Sequence, residues 1–151
     1  MSQAADFLGI LIDQEDPAAL DAAGPAKILI VDDEPGALQL IAAAMQYAGL
    51  SPTTADTPSA GLAAARQSRF DLMFLDVGLP EMSGFDLCSQ LRATPNHDRI
   101  PIVFITGMAT FQNRAQGSMS GGNDFIGKPF HILELGVKAL TWLYRGRLGQ
   151  V

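Results

Sequence analysis

Three short apolar runs constrain this chain more than anything else in it. Ile28-Leu29-Ile30-Val31, Leu72-Met73-Phe74-Leu75 and Ile102-Val103-Phe104-Ile105 contain no polar residue, and they end on Asp32, Asp76 and Thr106. A strand with one face in water alternates apolar and polar residues, so unbroken runs of this length read as strands covered on both faces. Helical patterns lie between them. Leu38, Ile41, Ala42 and Met45 recur at i, i+3, i+4 and i+7 and predict a helix that stops at Gly49. Thr57 and Pro58 offer an N-cap and a first helical position for a helix through about Gln67. Further helices are expected near 84–93, 109–121 and 131–145, with a weak strand at 51–55 and a last one at 123–127. Gly117, Ser118, Ser120 and Gly121 should make 109–121 the least stable helix. In the last helix, Leu133, Val137, Leu140 and Tyr144 form the expected core stripe, with Trp142 off it, either an interface residue or one packed at the edge of the core.

Five alternating β-α units imply a parallel sheet with helices on both faces. Ligands bind such sheets outside the carboxyl ends of the strands. Asp32, Asp33, Asp76 and Thr106 each follow an apolar run and Lys128 follows the last strand, so all five are expected at one edge. Apolar residues make up 48% of the 151 and charged residues 17%, enough for a core and too little charge for a disordered chain. A net charge of −6 argues against nonspecific binding to nucleic acid or to an anionic membrane. Cys88 is the single cysteine, which excludes an internal disulfide and suits a cytoplasmic protein. The apolar stretch 7–12 is too short to span a bilayer and has no basic residue before it. Residues 1–26 read as an extension and linker, 27–145 as the domain, and 146–151 as a tail or the start of a linker onward.

Three carboxylates in one small cleft repel one another, and a divalent cation relieves that repulsion. Hard oxygen donors select Mg²⁺ or Ca²⁺, and a few carboxylates with a phosphate are typical of Mg²⁺. Lys128 adds a positive charge and Thr106 a hydroxyl donor. Such a set suits phosphoryl transfer, where catalysis is mostly positioning and charge neutralisation. Asp76 is the expected nucleophile, forming an aspartyl-phosphate, with the small residues Gly78 and Gly84 leaving room for a donor. Singly, each residue has a bland explanation: an Asp pair caps a helix, Lys-Pro makes a turn, Phe125 fills a core. Cys88 reads as a small buried hydrophobe, and His97 and His131 as surface or capping residues.

In four places the sequence resembles the receiver domain of two-component response regulators. They are Ile30-Val31-Asp32-Asp33-Glu34-Pro35, Leu75-Asp76-Val77-Gly78-Leu79-Pro80-Glu81-Met82-Ser83-Gly84, Ile105-Thr106-Gly107 and Phe125-Ile126-Gly127-Lys128-Pro129-Phe130, in the family's order and spacing. The resemblance covers about 27–145. It implies a doubly wound, flavodoxin-like α/β sandwich of five parallel strands in order 2-1-3-4-5. It implies phosphorylation at Asp76, and Mg²⁺ (or Mn²⁺) held by Asp32, Asp33, Asp76 and the backbone carbonyl of Gly78. Thr106 and Lys128 would contact the phosphoryl group, Thr106 and Phe125 would form the switch pair, and Lys128-Pro129 would be cis. Gly78 and Met108 stand where the family tunes the lifetime of the phosphoryl group.

The implied partners are a sensor histidine kinase or phosphotransfer protein upstream, and downstream a target protein or second copy meeting the last two helices and last strand. The chain would then be a signalling domain rather than an enzyme, standing alone or as a module of a longer regulator or hybrid kinase. The rival is a haloacid-dehalogenase-like phosphatase or phosphotransferase, which wants a second Asp where this chain has Gly78. A receiver that signals without phosphate is disfavoured by the intact set of Asp33, Asp76, Thr106 and Lys128.

Overall fold

The computed structural model describes residues 25–149. The expectations for residues 1–24, including the apolar stretch 7–12, and for 150–151 lie outside that range. Five strands alternate with five helices: β1 (Lys27–Val31), α1 (Pro35–Tyr47), β2 (Ser51–Ala55), α2 (Pro58–Gln67), β3 (Leu72–Leu75), α3 (Gly84–Arg92), β4 (Ile102–Thr106), α4 (Phe111–Met119), β5 (Asp124–Gly127) and α5 (Ile132–Arg147). The strands form one sheet in the order β2-β1-β3-β4-β5, every pairing parallel. This is the doubly wound arrangement expected from the sequence.

The unbroken apolar runs are explained by what covers them. Ile28 and Ile30, Leu72 and Phe74, and Val103 and Ile105 share one core with Ile41 and Met45 of α1 and Leu135, Ala139, Leu140 and Leu143 of α5. Leu29, Val31, Met73, Leu75, Ile102 and Phe104 enter a second core with Leu62 of α2 and Phe85, Leu87 and Leu91 of α3. Alternate residues of each strand serve opposite faces, and both faces are dry. The helices start as their sequences dictate. The Thr57, Ser83 and Thr110 side chains accept from Ala60 N, Asp86 N and Asn113 N at the starts of α2, α3 and α4.

Two expectations are corrected here. The core face of α5 is Leu135, Ala139, Leu140 and Leu143, whereas Leu133 is 72% exposed. Apolar residues occupy more than one arc of this helix, so periodicity alone left its facing open. Polar contacts set it: Lys138 Nζ lies 3.1 Å from Asp124 Oδ1, and Trp142 Nε1 donates to Asp124 Oδ2 at 3.0 Å. Trp142 is therefore half-buried against the first core, with the Arg145 guanidinium 4.5 Å from its ring centroid. The helix also runs to Arg147, two residues past the boundary drawn at 145.

His97 is the second correction. It is a wholly buried group at 0% exposure rather than a surface one. Nε2 accepts the Phe70 N–H at 3.0 Å, and Nδ1 lies 2.8 Å from Thr94 Oγ1. An acceptor at Nε2 requires the neutral ring with its proton on Nδ1, donated to Thr94. Burial, with Arg69 and Arg92 nearby, lowers its pKa from the ordinary 6.5.

Two stability measurements follow from these contacts. A pKa lowered by folding contributes stability that is present above the unfolded value of 6.5 and lost as pH falls toward the folded value. Urea melts from pH 7.5 to 5 should therefore fall more steeply for the wild type than for His97→Gln. Leu135→Ala should cost about 2–4 kcal/mol and Leu133→Ala under about 0.5. Equal losses would return the core face to the 133 stripe.

Candidate functional site

Strand register brings the chemistry-bearing residues together. Val31 pairs with Leu75 across β1 and β3, and Thr106 pairs with Gly127 across β4 and β5. The residues just past these ends are Asp32, Asp76 and Lys128. The backbone continues the ladder by one step: Asp32 N donates to Ala55 O, Asp76 N to Val31 O, and Lys128 N to Thr106 O. One oxygen each of Asp32, Asp33 and Asp76 lies within 4.8 Å of the others. Asp32 and Asp76 are buried and Asp33 is exposed, so the group opens to solvent on one side.

Lys128 reaches across from the far strand. Its Nζ is 2.7 Å from Asp32 Oδ2, 3.3 Å from Asp76 Oδ2 and 3.2 Å from Glu34 Oε1. The Lys128–Pro129 peptide bond is cis. Asp76 Oδ1 accepts the Val77 N–H at 2.8 Å, and Asp32 Oδ1 accepts the Glu34 N–H at 3.0 Å. Both buried carboxylates are thus held in fixed orientations. Burial pushes the Asp76 carboxyl above its ordinary value; Lys128 opposes this and Asp32 reinforces it. Burial alone would lower the Lys128 ammonium, but its bond to Asp32 and the charges of Asp76 and Asp32 outweigh it and raise the pKa. One ammonium bonded to three carboxylates, with Asp33 a fourth beside them, leaves the cleft negative, a donor set that suits a hard divalent cation.

Thr106 is buried at the end of β4, and its Oγ1 accepts the Met108 N–H at 3.2 Å. The Phe125 ring is buried as well. Its centroid is 5.0 Å from that of Phe104, with the two rings tilted by 36°, and 6.5 Å from that of Phe85, with the Arg114 guanidinium 5.4 Å from its centroid. Here two glycines of the α4–β5 region acquire a reason. A Cβ on Gly117 would stand 2.4 Å from Phe125 Cε2, and one on Gly122 2.4 Å from Phe104 Cε2. Gly117 of α4 and Gly122 in the turn after it lack side chains where the rings sit. Helix α4 spans only Phe111–Met119, shorter than the expected 109–121.

Gly78 has open space around it, as a donor path needs, but Gly84 does not. A Cβ on Gly84 would meet the Asp76 carbonyl oxygen at 2.1 Å, so this glycine lets α3 start against the backbone of Asp76. Sequence reasoning assigned no role to Glu34, although it sits within the Asp32-Asp33-Glu34 motif. Its contact to Lys128 closes a sequence gap of 94 residues that no local pattern reports. Cys88 is buried in α3, and His131 stands at the start of α5 without a side-chain cap bond.

The sequence profile of the response regulator receiver domain matches residues 28–139. The probable transcriptional regulatory protein TcrX of Mycobacterium tuberculosis is 37% identical over 121 residues, which cover 80% of this chain and 51% of TcrX. The DNA-binding dual master transcriptional regulator RpaA of Synechocystis is 34% identical over 119 residues, covering 79% of this chain and 49% of that protein. The chain thus spans about half the length of these curated relatives. Among solved structures, a CheY-like receiver domain protein from Methanospirillum hungatei superposes with a TM-score of 0.79 at 25% identity, covering 83% of this chain and 99% of that one. The receiver domain of a sensor histidine kinase from Pseudomonas aeruginosa gives 0.74 at 28% identity, covering 80% and 99%; that structure holds a magnesium ion in its active-site cleft.

A raised Asp76 pKa means that ionising this carboxyl opposes folding. Its favourable contribution is full below the unfolded value of 3.8 and is lost as pH rises through the folded value. In EDTA at pH 7, Asp76→Asn should therefore melt a few degrees higher than the wild type. That advantage should shrink as the pH approaches 4. A lower melting point at pH 7 would mean that the Lys128 pairing outweighs burial.

Proposed function

The chain belongs to the response regulator receiver domain family, and on that premise we propose that Asp76 is its phosphoacceptor. The haloacid-dehalogenase-like alternative falls away, because the receiver profile spans 28–139 and Gly78 occupies the position of that family's second Asp. The observation that carries the proposal is the Lys128 ammonium lying between the Asp32 and Asp76 carboxylates at the open edge of the sheet.

The residues divide the work. Val77 N–H on Oδ1 and Lys128 on Oδ2 fix the Asp76 carboxylate, so its direction of attack is set before a donor arrives. An Asp76 oxygen forms a bond to phosphorus as the phosphorus–nitrogen bond of a phosphohistidine donor breaks, and the departing imidazole takes the electron pair. Lys128 then exchanges a carboxylate for a phosphoryl oxygen, and the Thr106 hydroxyl donates to another. Asp32, Asp33, Asp76 and the Gly78 carbonyl are the ligands we assign to Mg²⁺, and the same oxygen set suits Mn²⁺. When bound, the cation supplies charge neutralisation of the carboxylates and of the transferring group, and keeps Asp76 ionised.

Recruiting Thr106 toward a phosphoryl oxygen costs its bond from Met108 N–H, which loosens the loop after β4. Phe125, on the neighbouring strand β5, packs against Gly117 of α4, so a shift of its ring in response to Thr106 would reach the α4–β5–α5 surface. That surface is the one we assign to a target protein or a second copy. Phe111 and Met119 on α4 are 86% and 88% exposed, and Trp142 contributes from the flank of α5 that meets β5. A sensor histidine kinase or phosphotransfer protein is the proposed donor, and the packed unit is taken as 27–145 with α5 continuing to Arg147. Among the described residues no helix is long and apolar enough to cross a membrane.

Acetyl phosphate with Mg²⁺ should label the wild type at one site, and beryllofluoride should bind it. Asp76→Asn should not label, and EDTA should abolish labelling. Lys128→Ala should slow it by roughly 10²-fold, the loss of one electrostatic contact to the transferring group. Equal labelling of Asp76→Asn and wild type in intact-protein mass spectra would disprove the assignment.

A further inference from the structure

The loop from β3 to α3 is tied to the start of α2 by one carboxylate. Glu81 Oε1 accepts the Ser59 N–H at 3.0 Å, and the Ser59 hydroxyl donates to the same carboxylate, 2.8 Å from Oε1 and 3.0 Å from Oε2. The start of α2 shows why this contact forms. The first amides of a helix have no intrahelical acceptor. Pro58 at the first position has no N–H, the Ala60 N–H goes to Thr57 Oγ1, and the Gly61 N–H goes to Thr57 O. The Ser59 N–H takes Glu81, whose negative charge also suits a helix N-terminus.

Glu81 adopts a conformation that its residue type disfavours in order to do this. Its φ is +69°, in the left-handed region that favours glycine and that other residues adopt only at a cost. The rest of the loop is narrow and internally bonded. Leu79 N donates to Val77 O, Met82 N to Pro80 O, and Gly84 N to Val77 O, while Gly84 abuts the Asp76 carbonyl. Gln90 adds only a weak contact to Met82 Sδ at 3.5 Å. One end of the loop is therefore fixed by Asp76 and Gly84, and its outer bend is held by Glu81 on Ser59. Gly78, whose carbonyl is assigned to the cation, lies between these two anchors.

We propose that Glu81 is a positioning residue for the metal-binding loop, clamping it onto α2 and thereby setting the affinity of the cleft for Mg²⁺. The inference rests on the phosphoacceptor reading above. Glu81 is not in the carboxylate cluster of Asp32, Asp33 and Asp76, so it acts through the loop rather than as a ligand. Gly78 brings no side chain of its own to hold its carbonyl in place, so the loop's outer anchor decides how often that carbonyl is in position.

The test is calorimetric titration of Mg²⁺ into the full chain, with acetyl-phosphate labelling followed across Mg²⁺ concentrations. Glu81→Ala and Glu81→Gly should weaken Mg²⁺ binding by roughly 3- to 10-fold, near the low end for outer-sphere partners of a metal site. Ser59→Ala should weaken it by about twofold, because the backbone N–H remains. Glu81→Gln should bind close to the wild type, since its amide oxygen still accepts from Ser59. At saturating Mg²⁺ all four variants should label at the wild-type rate.

Wild-type affinity in Glu81→Gly would overturn the clamp, because glycine keeps the left-handed backbone and lacks the carboxylate. Glu81→Gln binding as weakly as Glu81→Ala would also overturn it, by showing that charge alone matters. A wild type that neither binds Mg²⁺ nor labels would sink the phosphoacceptor reading and the clamp with it. A wild type that does both, beside an unaffected Glu81→Gly, would sink the clamp alone.

Discussion

A single ammonium group holds the working edge of this molecule together. Lys128 Nζ stands against Asp32 and Asp76, which are 96 and 52 residues away in sequence, and it reaches Glu34 as well. Buried carboxylates with no counter-charge would take up protons or force the strand ends apart. Lys128 prevents that for two of them but cannot balance the whole group, and the excess negative charge is what makes the cleft suited to a divalent cation. Folding tolerates that arrangement because the sheet beneath is covered on both faces by apolar side chains and does not depend on the cleft for its stability.

The rest of the edge is arranged around backbone proximity. Gly84 permits α3 to begin against Asp76, and Gly117 permits the Phe125 ring to sit against α4. In both places the missing Cβ is a packing requirement. The contact between Gly117 and Phe125 also explains how a helix with modest propensity earns its position. Its aromatic neighbours, Phe104 and Phe125, seat it where intrinsic preference would not. A displacement of the Phe125 ring therefore meets α4 directly at Gly117.

Several features were legible in the residue order because each has a local cause. Apolar runs without alternation announced two-sided burial, and caps such as Thr57 announced where helices begin. The edge where Asp32, Asp33, Asp76 and Lys128 meet, with Thr106 at the end of β4, followed from strand ends in a parallel sheet. Other features were not legible. His97 reads as a surface residue until the Phe70 N–H and Thr94 are found against its two nitrogens. The facing of α5 was misread because apolar residues lie on several of its sides, and Asp124 selects among them through Lys138 and Trp142. Glu34 and Glu81 lie inside recognisable motifs, but their partners are far away in sequence, and no periodicity encodes such partners.

By itself the sequence determined the strand-helix alternation, the parallel two-sided sheet, and which chemistry-bearing residues stand at strand ends. These depend on the pattern of apolar side chains and on termini signals within a few residues. The tertiary structure alone decided which side chains touch. It set Lys128 on Asp32, Asp76 and Glu34, Glu81 on the start of α2, Phe125 against Gly117, and Trp142 half-buried on Asp124 at the edge of the first core. Those contacts join different elements, most of them far apart in sequence, and their geometry is fixed by how the sheet twists and the helices dock.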